Sequence, residues 1–231
     1  MSKYKTNGTK EDEFIEECKK GSLEKIKKFI EEDKVKPDIV DEDERTGLHW
    51  AAAGGHLAIV QYLVNQCNQS VNTIDDGGWS PLLSATSSGH INMVKVLLEF
   101  GANPNDTNDT KKSPLHYASS KNRVDIVDLL LDYGAKSFKD SNGMAPIHRA
   151  AAIGSVEVIK RLLTKAKVNI DSQDSQGDTA AHIAAESNYE NVIELLLENN
   201  ADMTIENSDH KTPIDITSSQ TIKYIIKEWK K

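Results

Sequence analysis

The chain has 231 residues, enough for one or two ordinary domains or for one array of short repeats. It carries 28 basic and 36 acidic side chains, which gives a net charge of −8 at pH 7. Binding to nucleic acid needs a concentrated positive surface, so this balance argues against nucleic acid as a partner. Aromatic residues make up only 6% of the chain, so aliphatic and small side chains must fill most of the core.

The cysteines and the apolar runs exclude two further classes of protein. Cys18 and Cys67 are far apart and form no CxxC pair, which argues against a disulfide framework or a zinc ribbon and indicates a reducing compartment. No apolar run approaches the roughly 20 residues that span a bilayer, and no apolar signal segment begins the chain. We therefore expect a soluble intracellular protein that makes no membrane contact.

A four-residue phrase returns six times at intervals of 32 to 34 residues. Its copies are Thr46-Gly-Leu-His49, Ser80-Pro-Leu-Leu83, Ser113-Pro-Leu-His116, Ala145-Pro-Ile-His148, Thr179-Ala-Ala-His182 and Thr212-Pro-Ile-Asp215. Glycine or asparagine follows the end of most copies by six residues, as at Gly55 and Asn122. Gly21 precedes Gly55 by one interval without a phrase before it. An atypical first unit therefore stands ahead of six recognisable ones.

The residue pattern of each unit predicts two helices and a turn. Ser or Thr at the start of the phrase is a typical N-cap, and the proline after it favours the first helical turn. Glycine or asparagine then ends the helix, since both tolerate left-handed backbone. A second helix has apolar residues three and four apart, as at Ile59, Val60 and Leu63. Stretches such as Asp75-Asp-Gly-Gly78 predict tight β-turns between units.

This pattern resembles the ankyrin repeat. The resemblance implies an all-α fold, an ankyrin-repeat solenoid of seven helix-turn-helix repeats with projecting β-turns. We expect a flexible N-terminus at residues 1–10 and a single ankyrin-repeat domain at residues 11–231. Its predicted units are a capping repeat at 11–43, repeats near 44–77, 78–110, 111–142, 143–176 and 177–209, and a C-terminal capping repeat at 210–231. Polar caps would close both ends of the core, so we expect the free protein to be a monomer.

The titratable residues give little support for catalysis or metal binding. Most histidines recur at repeat-equivalent positions, where we expect each to bond between a helix start and a neighbouring turn. No histidine pair has the HExxH spacing. The acidic runs Asp41-Glu-Asp-Glu44 and Asp75-Asp76 could suggest a metal site, but neither matches a calcium loop, and we interpret them as solvated turn carboxylates. We therefore predict no enzyme activity, no cofactor and no metal.

The predicted working surface is the concave face of the repeat array. Turn residues before each helix cap and residues near the end of each first helix should line it. The candidate partner-binding residues are Arg45, Trp79, Lys112, Lys121, Met144, Arg149, Asp178 and Glu186. They place a basic stripe and a tryptophan on an acidic protein, a composition typical of binding hot spots. In the alternative interpretation, Trp79 packs on Trp50 or on neighbouring turns as part of the core.

Several segments go beyond the generic repeat and are similar, in order and position, to the gankyrin family. They are Arg45-Thr-Gly-Leu-His-Trp50, Asp76-Gly-Gly-Trp-Ser-Pro81, Pro114-Leu-His-Tyr-Ala-Ser-Ser-Lys-Asn-Arg123, His148-Arg-Ala-Ala-Ala152 and Ile205-Glu-Asn207. The resemblance implies a cytoplasmic and nuclear chaperone for assembly of the proteasome regulatory particle. Such proteins hold the C-terminal domain of one proteasomal ATPase subunit on their concave face. By position, Arg45 and Lys121 correspond to family residues that meet acidic residues of that domain.

One family feature is missing, and one other function stays open. The stretch Ile183-Ala-Ala-Glu-Ser187 aligns with an LxCxE segment linked to retinoblastoma-protein binding, but neither the cysteine nor the glutamate is in register. We therefore do not expect that partner. The alternative function is an ankyrin-repeat interaction module of another pathway, such as a kinase inhibitor or a transcription-regulator partner. We expect charge reversal at Arg45 and Lys121 to leave folding nearly unchanged, since both should lie away from the aliphatic core.

Overall fold

The computed structural model describes residues 8–229. Contacts between Cα atoms group the chain into two compact units, Met1–Asp109 and Thr110–Lys231. Within residues 8–229 the regular structure is helical, with fourteen helices and an isolated β-bridge between Val40 and Thr46. This confirms the predicted all-α class. None of the described helices is long and apolar enough to cross a membrane.

The first unit contains three helix pairs. They are α1 (Lys10–Lys20) with α2 (Leu23–Glu31), α3 (Gly47–Ala53) with α4 (Leu57–Asn65), and α5 (Pro81–Ser88) with α6 (Ile91–Glu99). The first helix of each pair packs on the first helix of the next pair, and the second helices do the same. Phe14, Leu48 and Leu82 are fully buried between these layers, as the aliphatic periodicity predicts.

The second unit contains four helix pairs with the same stacking. They are α7 (Pro114–Ser120) with α8 (Val124–Asp132), α9 (Pro146–Ala151) with α10 (Val156–Thr164), α11 (Ala180–Glu186) with α12 (Glu190–Glu198), and α13 (Pro213–Ile216) with α14 (Gln220–Glu228). Leu115, Leu130 and Ile147 are fully buried here. Small residues such as Ala150 and Ala184 let the first helices approach closely.

The helices begin and end where the local chemistry predicts. Thr46 Oγ1 accepts the backbone N–H of His49 at 3.4 Å, which is an N-cap bond. Left-handed residues follow the last residues of α3 and α7 by two positions, with φ of 75° at Gly55 and 52° at Asn122. Gly55 is required for a second reason, because a Cβ at this position would come within 2.9 Å of the His90 ring.

The two ends of the chain differ from the predictions in detail. Residues 1–7 of the predicted flexible segment lie outside the described residues. Thr9 caps α1 by accepting the N–H of Asp12, and Lys10 is already helical. At the other end, the apolar spacing of residues 221–229 predicts that Ile222 and Trp229 face inward. Ile222 is fully buried, but Trp229 is 37% exposed. The reason is that α14 ends at Glu228, so Trp229 lies beyond the helical register that buries Ile222.

The closing helix should be stabilised mainly by Ile222. An Ile222→Ala substitution should lower the free energy of unfolding by about 2–5 kcal/mol, because it removes a fully buried side chain and leaves a cavity. Urea unfolding followed by circular dichroism measures this. Tyr224→Ala is the control on the same helix, since Tyr224 is 66% exposed. Equal losses for the two variants would show that α14 does not pack as described.

Candidate partner-binding surface

The turn that projects between repeats, here called a finger, begins with a buried or half-buried Asp or Asn. In the first unit, Asp75 Oδ1 accepts the backbone N–H of Gly77 at 3.0 Å and of Trp79 at 2.8 Å. The same two bonds recur at Asp41, Asp140, Asp174 and Asn207. The interpretation of Asp75 as a solvated carboxylate is therefore wrong: it is buried because its oxygens organise the finger.

Backbone bonds join each finger to the next within a unit. In the first unit, the N–H of Asp76 donates to Asp43 O at 3.1 Å. In the second unit, the N–H of Ser175 donates to Asn142 O at 3.1 Å. The fingers therefore form a hydrogen-bonded row in each unit. In residues 8–229, no group of three or more His, Cys, Asp or Glu side chains could hold a metal ion.

The histidine of the phrase joins a helix start to the next finger. His49 Nδ1 accepts the N–H of Thr46 at 3.1 Å, and its Nε2 lies 3.0 Å from Trp79 O. Because a carbonyl oxygen can only accept, Nε2 carries the proton and donates. His116 and His182 make the equivalent pair of bonds, whereas His148 accepts the N–H of Ala145 and donates to Ser172 O at 2.7 Å, two residues before Asp174 begins the next finger. This confirms the predicted bridging role for these four residues.

His56 and His90 are half-buried and occupy a different position from the four buried histidines. Each directly precedes a second helix, and its Nε2 donates to a carbonyl of the preceding repeat. The distances are 2.9 Å from His56 to Lys19 O and 3.0 Å from His90 to Ala53 O. These two residues therefore bond to the end of the preceding first helix instead of to a turn.

Burial lowers the pKa of His49, His116 and His148, although their hydrogen bonds to backbone carbonyls act in the opposite direction. An unfolded histidine has a pKa near 6.5. Below about pH 6.5 the unfolded chain therefore binds more protons than the folded chain. As the pH falls below 6.5, each of these histidines should then reduce the free energy of unfolding by at most about 1.4 kcal/mol for each pH unit.

We accordingly expect stability to be full above about pH 6.5 and to decline toward pH 5. Urea unfolding at pH 7.5, 6.5 and 5.5 measures the decline. His116→Asn should be less stable at pH 7.5, since a bridge is lost, but its decline with acid should be shallower. Parallel declines for this variant and the wild type would contradict the assignment.

In the first unit, Arg45 lies within a cluster of charged and aromatic side chains. Its Nε donates to Asp75 Oδ2 at 2.8 Å, and its Cζ lies 5.1 Å from the centre of the Trp50 ring. Lys19 Nζ lies 4.1 Å from the same ring. Sequence reasoning missed Asp75 as the partner of Arg45 and Lys19 as a neighbour of Trp50, because they come from the next finger and the preceding repeat.

Trp79, the other candidate of the first unit, is half-buried. Its indole lies against its own finger, since a Cβ on Gly77 would be 3.3 Å from Trp79 Cδ1. Trp79 is therefore partly covered and partly exposed to solvent. This lies between the two interpretations from the sequence, which were partner contact and core packing.

The candidates of the second unit differ in exposure. Lys121 and Glu186 are exposed, whereas Lys112, Met144, Arg149 and Asp178 are half-buried. Arg149 forms an ion pair with the fully buried carboxylate of Asp140. Asp178 Oδ1 accepts Asn207 Nδ2 at 2.7 Å.

The expected basic stripe is therefore partly neutralised from within. Arg45 and Arg149 each lie against a buried finger carboxylate, Asp75 and Asp140 respectively. This corrects the expectation that charge reversal at Arg45 leaves folding nearly unchanged, because Asp75 would lose its counter-ion.

Arg45→Glu should lower the free energy of unfolding by about 1–3 kcal/mol, since it sets two carboxylates side by side. The figure lies below that for a fully buried pair because the Arg45 side chain is 34% exposed. Lys121→Glu is the control and should change the free energy by less than about 0.5 kcal/mol. Chemical denaturation of both variants checks this, and similar values for the two would contradict a structural role for Arg45.

These repeats define the class of the protein. The family model for ankyrin repeats matches residues 14–108, 70–138 and 115–207. The chain belongs to the ankyrin-repeat family. The solved ankyrin repeat domain of human ASB11 superposes with a TM-score of 0.78 at 26% identity, covering 92% of this chain and 96% of that one.

Two relatives belong to a more specific class within the ankyrin-repeat proteins. The chain is 61% identical over 101 residues to the 26S proteasome non-ATPase regulatory subunit 10 of Dictyostelium discoideum. That match covers 44% of each chain, less than half of the relative's length. It is also 27% identical to the probable 26S proteasome regulatory subunit p28 of Saccharomyces cerevisiae, over 89% of this chain and 93% of the relative. The predicted resemblance to the gankyrin family is thereby confirmed.

A third relative belongs to another class of protein. The transient receptor potential cation channel subfamily A member 1 homolog of Caenorhabditis elegans is 33% identical over 159 residues. The match covers 69% of this chain but only 13% of the channel. Ankyrin repeats of this kind therefore also occur as parts of much larger proteins.

Proposed function

We propose that this protein is a non-enzymatic chaperone for assembly of the 26S proteasome regulatory particle. In this role it holds the C-terminal domain of a proteasomal ATPase subunit. The observation that carries the proposal is the 61% identity to a regulatory subunit 10 over 101 residues. The match to p28 across 93% of that relative supports the same assignment over the length of the array.

The construction of the surface suits binding. Both ring nitrogens of His49 and His116 are used to hold the backbone, so these histidines serve the scaffold. The fingers are fixed by buried side chains, and a surface fixed in advance loses little conformational entropy when a partner docks. In the first unit the proposed contacts are Arg45 and Trp79. In the second unit they are Lys112, Lys121, Met144, Arg149, Asp178 and Glu186.

A second candidate function is an interaction module of another pathway. The match to a cation channel supports this second function, because similar repeats occur there in a protein of another class. Pull-down followed by mass spectrometry separates the two functions. Proteasomal ATPases should dominate if the chaperone proposal is right, and their absence would favour the module.

We also propose that the free protein is a monomer and that it occurs in both the cytoplasm and the nucleus. Light scattering at micromolar concentration measures the first, and a stable dimer would contradict it. Imaging of a fluorescent fusion measures the second, and exclusion from either compartment would contradict it.

Lys121 allows a test of the binding surface that Arg45 does not, because Lys121 is exposed and its reversal should spare the fold. Lys121→Glu should weaken binding to the ATPase C-terminal domain at least about tenfold, or about 1.4 kcal/mol, by like-charge repulsion. Titration calorimetry with the purified domain measures the affinity.

Lys160→Glu is the matched control. Lys160 lies on the second helix of a repeat, is also solvent-exposed and pairs with Glu157 at 3.2 Å. It should bind like the wild type. If Lys121→Glu and Lys160→Glu bind equally well, the Lys121 face is not the recognition surface.

A further inference from the structure

Two cations converge on one indole ring in the first unit. Lys19 Nζ lies 4.1 Å and Arg45 Cζ 5.1 Å from the centre of the Trp50 ring. Lys19 belongs to the last turn of α1, whereas Arg45 precedes the start of α3 and Trp50 lies within that helix. Repeat stacking therefore assembles a cluster that no single repeat contains.

Lys19 and Trp50 are held by further bonds. His56 Nε2 donates to the Lys19 carbonyl at 2.9 Å, which fixes the backbone of Lys19. Trp50 Nε1 donates to Asp41 Oδ2 at 2.7 Å, which fixes the indole ring. The Lys19 ammonium also lies 3.9 Å from Glu16 Oε2, at the outer limit for an ion pair. A partner carboxylate could therefore replace that weak contact at little cost.

The Asp75 carboxylate that pairs with Arg45 is buried, whereas Glu16 beside Lys19 is only half-buried. Asp75, whose side chain is 1% exposed, directs Oδ1 to backbone N–H groups and Oδ2 to Arg45 Nε. Asp41 also directs its oxygens to N–H donors. The Arg45 and Lys19 side chains are 34% and 35% exposed. Since Asp75 engages Nε, the two terminal nitrogens of Arg45 are the donors that a partner carboxylate can bind together.

We propose that Lys19, Trp50 and Arg45 form a cradle for carboxylate-bearing side chains of a protein partner. The partner surface of the first unit then begins on the first repeat, and Lys19 is a specificity-determining residue. The identification of this partner as an ATPase C-terminal domain rests on the proposed function. Contact with the indole already restricts the Lys19 side chain, so binding a carboxylate costs little further side-chain entropy.

Lys19 has a matched control in the adjacent residue. Lys20 is 55% exposed and lies 3.6 Å from both Glu16 and Glu17. Lys19→Ala should weaken binding of the ATPase C-terminal domain three- to tenfold, whereas Lys20→Ala should change it less than twofold. Lys19→Arg should keep most of the affinity. Urea unfolding of each variant checks that the fold is retained.

A second measurement tests the cradle even if the ATPase domain does not bind. A glutamate-rich peptide is titrated while the Trp50 indole N–H resonance, assigned with Trp50→Phe, is followed by NMR. The resonance should shift in the wild type and in Lys20→Ala, and much less in Lys19→Ala. Failure of the ATPase domain to bind the wild type would reject the proposed function alone. Equal behaviour of Lys19→Ala and Lys20→Ala toward every ligand that binds would overturn the cradle, as would the lack of any peptide-induced shift in the wild type.

Discussion

Each proposed binding surface depends on one chain of hydrogen bonds between a helix start and the following finger. His116 accepts the N–H of Ser113 at its own helix start and donates to Met144 O in the next finger. Asp140 then closes that finger through the N–H groups of Asn142 and Met144. A buried N–H or C=O without a partner costs about 1–3 kcal/mol, so these side chains determine where the finger backbone lies. The fingers can therefore be exposed and still be well placed for binding.

The parts of the fold that depend on local chemistry could be predicted from the sequence. Thr46 at a helix start, Pro81 in a first turn and Gly55 at a helix end act on backbone within a few residues. Their recurrence at one spacing makes the local and the global signals agree. The bridging role of His49 could be predicted for the same reason, since a backbone carbonyl recurs at the same place in successive repeats.

The contacts between repeats could not be predicted in the same way. Asp75 is thirty residues from Arg45, and whether the arginine faces solvent or this carboxylate depends on how the two fingers are offset. The contact of Lys19 with Trp50 depends likewise on the stacking of α1 on α3. A sequence pattern shows which face a residue occupies, but not which neighbour uses its charge. The expected basic stripe was overestimated for that reason.

Net charge is consequently a poor guide to what this acidic protein recognises. Arg45 and Arg149 are each paired with a buried carboxylate, so they add little long-range positive potential. Such pairs contribute little net stability, but they fix the direction of the donors that remain. Short, directed bonds are less sensitive to salt than attraction between exposed charges, which is screened over roughly 8 Å at physiological ionic strength. The proposed surface would distinguish partners by the positions of their carboxylates, because a partner with the same total charge in another arrangement cannot meet fixed donors.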